Sequence, residues 1–176
     1  MKTLLALTIA IFSALASATE PLPPAPALEV GFSPRQGALD VVLRGIDSAQ
    51  ESILVAAYAF TSRPVSQALR DAYRRGVDVR VVADAKANSG KYTAVRFLAN
   101  QGVPVRLNGR YAILHHKFIV IDGQHVQTGS FNYSAAAVSK NAENVLLLWH
   151  VKPLADQYTA EWQRLWDEGV DLRPAY

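Results

Sequence analysis

His115, Lys117, Ser130 and Asn132 are side chains whose types and spacing could do chemistry together. His115 and Lys117 are two apart, entering the apolar run Phe118-Ile119-Val120-Ile121, which reads as a strand over Lys117 to Ile121. Alternate side chains of a strand share a face, so these two point one way and His116 the other. Asp122-Gly123 then signals a tight hairpin. The return strand, His125 to Thr128, leads into Gly129-Ser130-Phe131-Asn132, so the hairpin brings that segment back beside His115. One imidazole, one ammonium, one hydroxyl and one amide are thereby expected in a small patch. An ammonium with neutral hydrogen-bond donors suits the non-bridging oxygens of a phosphate. An imidazole beside them can serve as nucleophile, acid or base. Backbone N–H groups of a helical turn expected through Ser134 and Ala135 to Ala137 favour the same anion.

Other chemistries fit less well. A metal site built from His115, His116, His125 and Asp122 needs His115 and His116 on one side, whereas alternation separates them. The chain has no cysteine, which excludes thiol catalysis, thiolate zinc clusters and a disulfide framework. No cofactor motif stands out. Asp122 is at odd spacing from His115, so its expected role is to support the hairpin.

The elements that must position the patch alternate in type. Strands are expected at Leu28 to Phe32, Ile53 to Phe60, Val77 to Ala83 and Val103 to Leu107. Helices are expected over about Gln36 to Ala49, with Ser33-Pro34 as its cap, from Thr61-Ser62 to Gly76, and over about Tyr92 to Asn100. After the hairpin come a buried strand, Val145 to Trp149, and a helix, Pro153 to Trp166, with Leu154, Tyr158, Trp162 and Leu165 inward. Trp162 and Trp166 read as core, not as a base-stacking platform. The βα rhythm followed by a hairpin predicts one α/β domain, a mixed and largely parallel sheet sandwiched between helices.

Composition agrees with one globular domain: 176 residues, 50% hydrophobic and 19% charged. Met1-Lys2, the apolar run Leu4 to Leu15 and Ala16-Ser17-Ala18 read as a signal peptide over residues 1–18. Pro21, Pro23, Pro24 and Pro26 make residues 19–27 an extended linker, leaving 28–176 as the domain. The apolar run is short for a bilayer span, which takes about 20 residues. A secreted or periplasmic protein without stable membrane insertion is therefore expected. The formal charge of +3 is a weak pointer to nucleic acid. Lys86, Lys91, Arg106, Arg110 and Lys140 are candidate contacts, each equally readable as an ordinary solvated charge.

The pattern His115-x-Lys117-(x)4-Asp122-(x)6-Gly129-Ser130-x-Asn132 resembles the signature of the phospholipase D superfamily at every defined position. Glu143, within Asn141-Ala142-Glu143-Asn144, falls where that family has an acid. The resemblance runs from about Leu28 to Trp166 and is strongest to small bacterial periplasmic nucleases with one motif per chain. It implies a phospholipase D/nuclease-like fold and a metal-independent phosphodiesterase in which His115 forms a phosphohistidine. Lys117 and Asn132, with Ser130 assisting, would stabilise the phosphoryl oxygens, and Glu143 would accept the other imidazole N–H. A second histidine must act as the acid. His116, His125 and His150 lack the partner residues, so a homodimer sharing one active site is expected. The implied substrate is DNA, with RNA also in reach. The alternatives are a phospholipase D acting on phosphatidyl head groups and a non-catalytic nucleic-acid-binding module.

Overall fold

Residues 24–90 and 93–175 are described by the computed structural model of the chain. The expected leader, most of the linker, Lys91 and Tyr92 lie outside them.

Among the described residues thirteen elements follow one another. They begin with β1 (Ala27–Ser33), α1 (Ala38–Ser48), β2 (Ser52–Ala57), α2 (Arg63–Arg74), β3 (Asp78–Asp84), α3 (Ala94–Asn100) and β4 (Val105–Asn108). The hairpin strands β5 (Lys117–Ile121) and β6 (His125–Gly129) come next, then α4 (Ala135–Ser139), β7 (Glu143–Trp149), α5 (Lys152–Asp167) and β8 (Val170–Asp171). The strands form one sheet in the order β1-β7-β6-β5-β2-β3-β4-β8. It is mixed and helix-covered, as expected. Its parallel part is narrower than the rhythm predicts: β2, β3 and β4 run parallel, and the other pairings are antiparallel. The reason is long-range. β1 crosses to the far edge and pairs with β7, register Ser33↔Glu143, so the first βα unit adds no parallel neighbour.

Period-two alternation divides the strands between two cores. Val55, Val81, Ile119 and Leu147 face α1, α2 and α3. Ala56, Val82, Phe118 and Val126 face α5 through Ala155, Trp162 and Leu165. Trp162 is 1% exposed, and its indole N–H donates to the Val55 carbonyl at 2.9 Å. Removing a buried side chain of that size costs about 3–5 kcal/mol. Trp166 stacks on it at 5.0 Å, so the pair is core.

Several boundaries differ from the sequence reading, each for a side-chain or backbone reason. Ser33 does not cap α1. Phe32 and Gln36 exchange backbone hydrogen bonds of 2.9 and 3.2 Å around a tight turn, and α1 starts after Gly37. Ser62 stands at the N-cap of α2 without a side-chain bond. β2 stops at Ala57 and not at Phe60, because the buried Asn88 amide accepts from Phe60 N and donates to Tyr58 O. β8 was not foreseen. It is two residues long, and its Val170 is exposed.

Candidate active site

The carboxyl ends of β2, β3 and β4 lie on the same edge as the start of β5, the end of β6 and the start of β7. Ligand sites of open α/β sheets form at such an edge. Two of the expected residues open it. The pairing Ala57↔Lys117 sets Lys117 beside the end of β2. His115 precedes β5 in an extended segment and is exposed.

Tyr58, one residue past β2, joins the two. Its ring lies 4.8 Å from the His115 ring and 5.3 Å from the Lys117 ammonium. His116 points to the opposite side, as alternation requires. Its Nε2 is 3.2 Å from Glu161 of α5, and its ring meets the edge of Phe118. A hydrogen bond from Arg164, with a smaller contribution from His116, holds the Glu161 carboxyl below the usual range. His116 is thereby engaged away from Lys117.

Lys117 is 8% exposed. Its ammonium donates to the His115 carbonyl at 2.8 Å and forms no ion pair among the described residues. Burial pulls its pKa below the ordinary lysine value, and the attraction of Glu143 offsets this in part. A buried cation without a counter-ion is costly unless an anion arrives to compensate it.

The pairing Phe118↔Thr128, extended outward, sets Lys117 opposite Gly129 and His115 level with Phe131. Gly129 has φ 150, and a Cβ there would overlap the Asn144 carbonyl oxygen, so only glycine lets β6 approach β7 this closely. Ser130 follows, and its hydroxyl donates to Glu143 Oε2 at 2.6 Å and accepts from Asn144 N. The other Glu143 oxygen accepts from Asn141 at 2.9 Å. Both oxygens are thus taken, and within one chain Glu143 does not hold the His115 imidazole. It sits close enough to Lys117 to influence its charge, and it fixes Ser130. Asn132 Oδ1 is buried without a partner. Its backbone is firm: Tyr133 O, next along, accepts from Thr61 N and Ser62 N at 2.9 and 2.8 Å. The expected turn after it is α4, capped by Ser134.

Asp122 lies at the other end of β5, about 16 Å from Lys117 by strand rise. Its carboxylate accepts from Gln50 N, Glu51 N and Ser52 N, the last two at 2.8 and 2.9 Å. It belongs to the signature but not to the site, and it ties the hairpin turn to the start of β2.

Two buried residues on the site edge carried no signal in the sequence reading. Asp84, 2% exposed, accepts from Ala87 N at 2.7 Å and from Leu114 N at 2.8 Å, which fixes the backbone just before His115. Asn88, also 2% exposed, donates to Tyr58 O at 2.6 Å and to Asp84 O at 2.9 Å. An Asp and an Asn four apart at the end of an apolar strand are typical loop-locking types, and that pattern was the available clue. Of the basic candidates, Arg106 is structural: it pairs with Asp171, donates to Trp166 O and lies over the Trp166 ring. Arg110 lies 3.7 Å from Glu168. Lys86 and Lys140 are exposed on the site edge. Among the described residues no cluster of three or more His, Asp or Glu could hold a metal ion. No helix among them is long and apolar enough to cross a membrane.

The chain matches the family model described as "Cardiolipin synthase, PLD-like domain" over residues 42–166. It is 37% identical over 131 residues to a phospholipase D of Rickettsia bellii, covering 74% of this chain and 65% of that protein. It therefore spans just under two thirds of that relative's length. A mitochondrial cardiolipin hydrolase of Mus musculus is 29% identical over 91% of this chain and 75% of its own length. The crystal structure of Nuc, a phospholipase D family member from Salmonella typhimurium, superposes with a TM-score of 0.83 and 41% identity, covering 85% of this chain and 99% of that one.

Proposed function

The chain belongs to the phospholipase D superfamily, and on that premise we propose that it is a metal-independent phosphodiesterase that cleaves DNA, and RNA, without sequence preference. The observation that carries this reading is the buried, unpaired Lys117 ammonium beside an exposed imidazole. Such a cation awaits an anion, and the imidazole stands where it can attack the phosphorus of that anion.

In the first step a His115 nitrogen bonds to phosphorus while the P–O bond to the leaving alcohol breaks. The leaving oxygen takes a proton from an imidazolium. In the second step the same imidazole, now neutral, removes a proton from water. The water oxygen bonds to phosphorus, the P–N bond breaks and His115 is regenerated. Lys117 and the Asn132 side-chain N–H groups stabilise the equatorial oxygens throughout, a type of contribution worth about 10²–10³ in rate for one donor. Ser130 is held by Glu143 and presents its hydroxyl from the same segment.

One chain supplies one such imidazole. The acid is His115 of a second copy across a two-fold axis, so the enzyme is a homodimer with one shared site. Export as a secreted or periplasmic protein fits the leader and a polymer substrate outside the cell. A second reading, hydrolysis of phosphatidyl head groups, draws support from the phospholipase D and cardiolipin hydrolase names of the curated relatives.

Three measurements test the proposal. Purified protein in a chelator is incubated with plasmid DNA and, separately, with phosphatidylcholine. Cleavage of DNA is expected, and cleavage of lipid alone overturns the nuclease reading. Enzyme denatured in alkali during turnover should carry a nucleotidyl phosphoryl group on His115. Mixing His115→Asn subunits with wild type should yield inactive mixed dimers, and full activity per site in those dimers refutes the shared site.

A further inference from the structure

The same edge of the sheet carries cations that no catalytic step uses. Arg35 lies two residues beyond the end of β1, and Lys140 three before β7. Arg63 is the first residue of α2, and Lys86 lies two residues beyond β3. All four are exposed, and none forms an ion pair among the described residues. Of the arginines that do pair, Arg44, Arg80 and Arg164 stand on helix flanks or within a strand, and Arg110, past β4, reaches Glu168 at 3.7 Å. Carboxylates on this edge are already engaged. Asp84 accepts from two backbone N–H groups, Glu143 from Ser130 and Asn141, and Glu168 from Tyr111 and Asn108. Asp40, in the first turn of α1, is the exception.

The strand order turns this set into a line. Along the edge come Arg35 and Lys140 at β1 and β7, His115 and Lys117 at β5, then Arg63 past β2 and Lys86 past β3. Five strand spacings at about 4.8 Å make the row about 24 Å long. One nucleic-acid strand places a phosphate every 3.4 Å or so along a helix, so the row matches about seven phosphates. A single phosphatidyl head group has no use for such a length. A membrane-facing surface couples its cations to protruding apolar groups; Phe32 and Ile113 are exposed beside Arg35 and His115, whereas Leu28, Val30 and Tyr73 lie away from these loops, so the length of the row favours a polymer and vesicle binding is the competing outcome.

We propose that Arg35, Lys140, Arg63 and Lys86 form a phosphate track that lays a nucleic-acid strand across His115. The track contacts backbone only and therefore positions without reading sequence. The inference rests on the nuclease reading of the site.

The test uses the full chain carrying R35Q, R63Q, K86Q and K140Q together, with circular dichroism and a melting curve to verify folding. Two double variants, R35Q/K140Q and R63Q/K86Q, serve if the fourfold variant does not fold. Activity on an oligonucleotide of about 30 residues, longer than the track, is compared with activity on bis(p-nitrophenyl) phosphate at several salt concentrations. The polymer-to-small-diester ratio should fall at least about ten-fold. The slope of log(1/KM) for the polymer against log[salt] should shrink by about 3, since each lost contact removes about 0.7; each double variant should give about half of that. An unchanged ratio and slope overturn the track. Loss of binding to phosphatidylglycerol vesicles with polymer cleavage intact also overturns it, in favour of a membrane. Wild-type protein that cleaves the small diester but no nucleic acid sinks the nuclease reading itself, a different result.

Discussion

At the turn of the β5–β6 hairpin, the Asp122 carboxylate is surrounded by backbone N–H groups of Gln50, Glu51 and Ser52. At its open end the Lys117 ammonium is equally charged and nearly buried, yet it has one carbonyl and one aromatic ring for company. The Asn132 amide nearby leaves a buried oxygen unmatched. Both charged residues belong to one signature and stand at the two ends of one strand, but the chain completes the first environment and leaves the second incomplete. A satisfied charge stabilises the fold, whereas an unsatisfied one draws on that stability and waits for a ligand. Shared membership of a motif therefore says nothing about shared function.

Four substitutions around the two ends of the hairpin should separate charge that stabilises from charge that acts. The largest expected effect is that of His115→Ala: loss of at least about 10⁴ in kcat/KM on a diester substrate, with an unfolding free energy in urea within about 0.5 kcal/mol of wild type. Next is Lys117→Met, which keeps the alkyl packing and removes the buried charge. It should lower kcat by about 10³ and leave the melting temperature equal or higher. A clear drop in that temperature means that Lys117 is structural after all. Asp122→Ala should do the reverse, costing about 2–3 kcal/mol in urea unfolding while the activity of the folded fraction persists. Asp84→Asn should lower kcat by about ten-fold through a looser His115 backbone with KM little altered. Equal effects on stability and kcat across all four would erase the distinction between the two ends.

The smallest effect is in pH. His125 starts β6 at the turn end, and its Nδ1 accepts from His150 N at 2.9 Å. Burial, helped by the nearby His150, depresses its pKa below the ordinary 6.5. The unfolded chain therefore binds the proton first as pH falls. Stability is full above about pH 6.5, declines as pH drops below it, and levels off once the folded form is also protonated. Urea midpoints at pH 7.5 and pH 5 should show this decline, and His125→Gln should flatten it. Activity measured at saturating substrate should not share that profile.

The same contrast explains what the sequence disclosed. Hairpin, side-chain alternation and elements are legible because each rests on local spacing: Asp122-Gly123 for the turn, period two for His115, His116 and Lys117, helical periodicity for α5. The turn residues adopt left-handed φ values of 51 and 60, as Asp-Gly suggests. What was not legible depends on partners far along the chain. Tyr58 looked like more of strand β2 until Asn88, 30 residues later, was seen to take its carbonyl. The sheet's parallel share was overestimated because β1 pairs with β7. Within one chain Glu143 accepts from Ser130 and Asn141 and not from His115, a choice between nearby donors that spacing alone does not make.

His115 stands outside β5, yet the backbone on either side of it is anchored. Asp84 grips the N–H of the preceding residue, and the Lys117 ammonium grips its own carbonyl. Only the two torsions of the side chain are left to turn. The imidazole is thus a short crank on a fixed bearing, and the arc it sweeps is set before any substrate arrives. A phosphorus atom carried onto that arc needs no rearrangement of the chain to be reached. In the proposed mechanism the same fixture would set where the imidazole returns once the phosphoryl group departs, so that each turnover would begin from the position in which the last one ended.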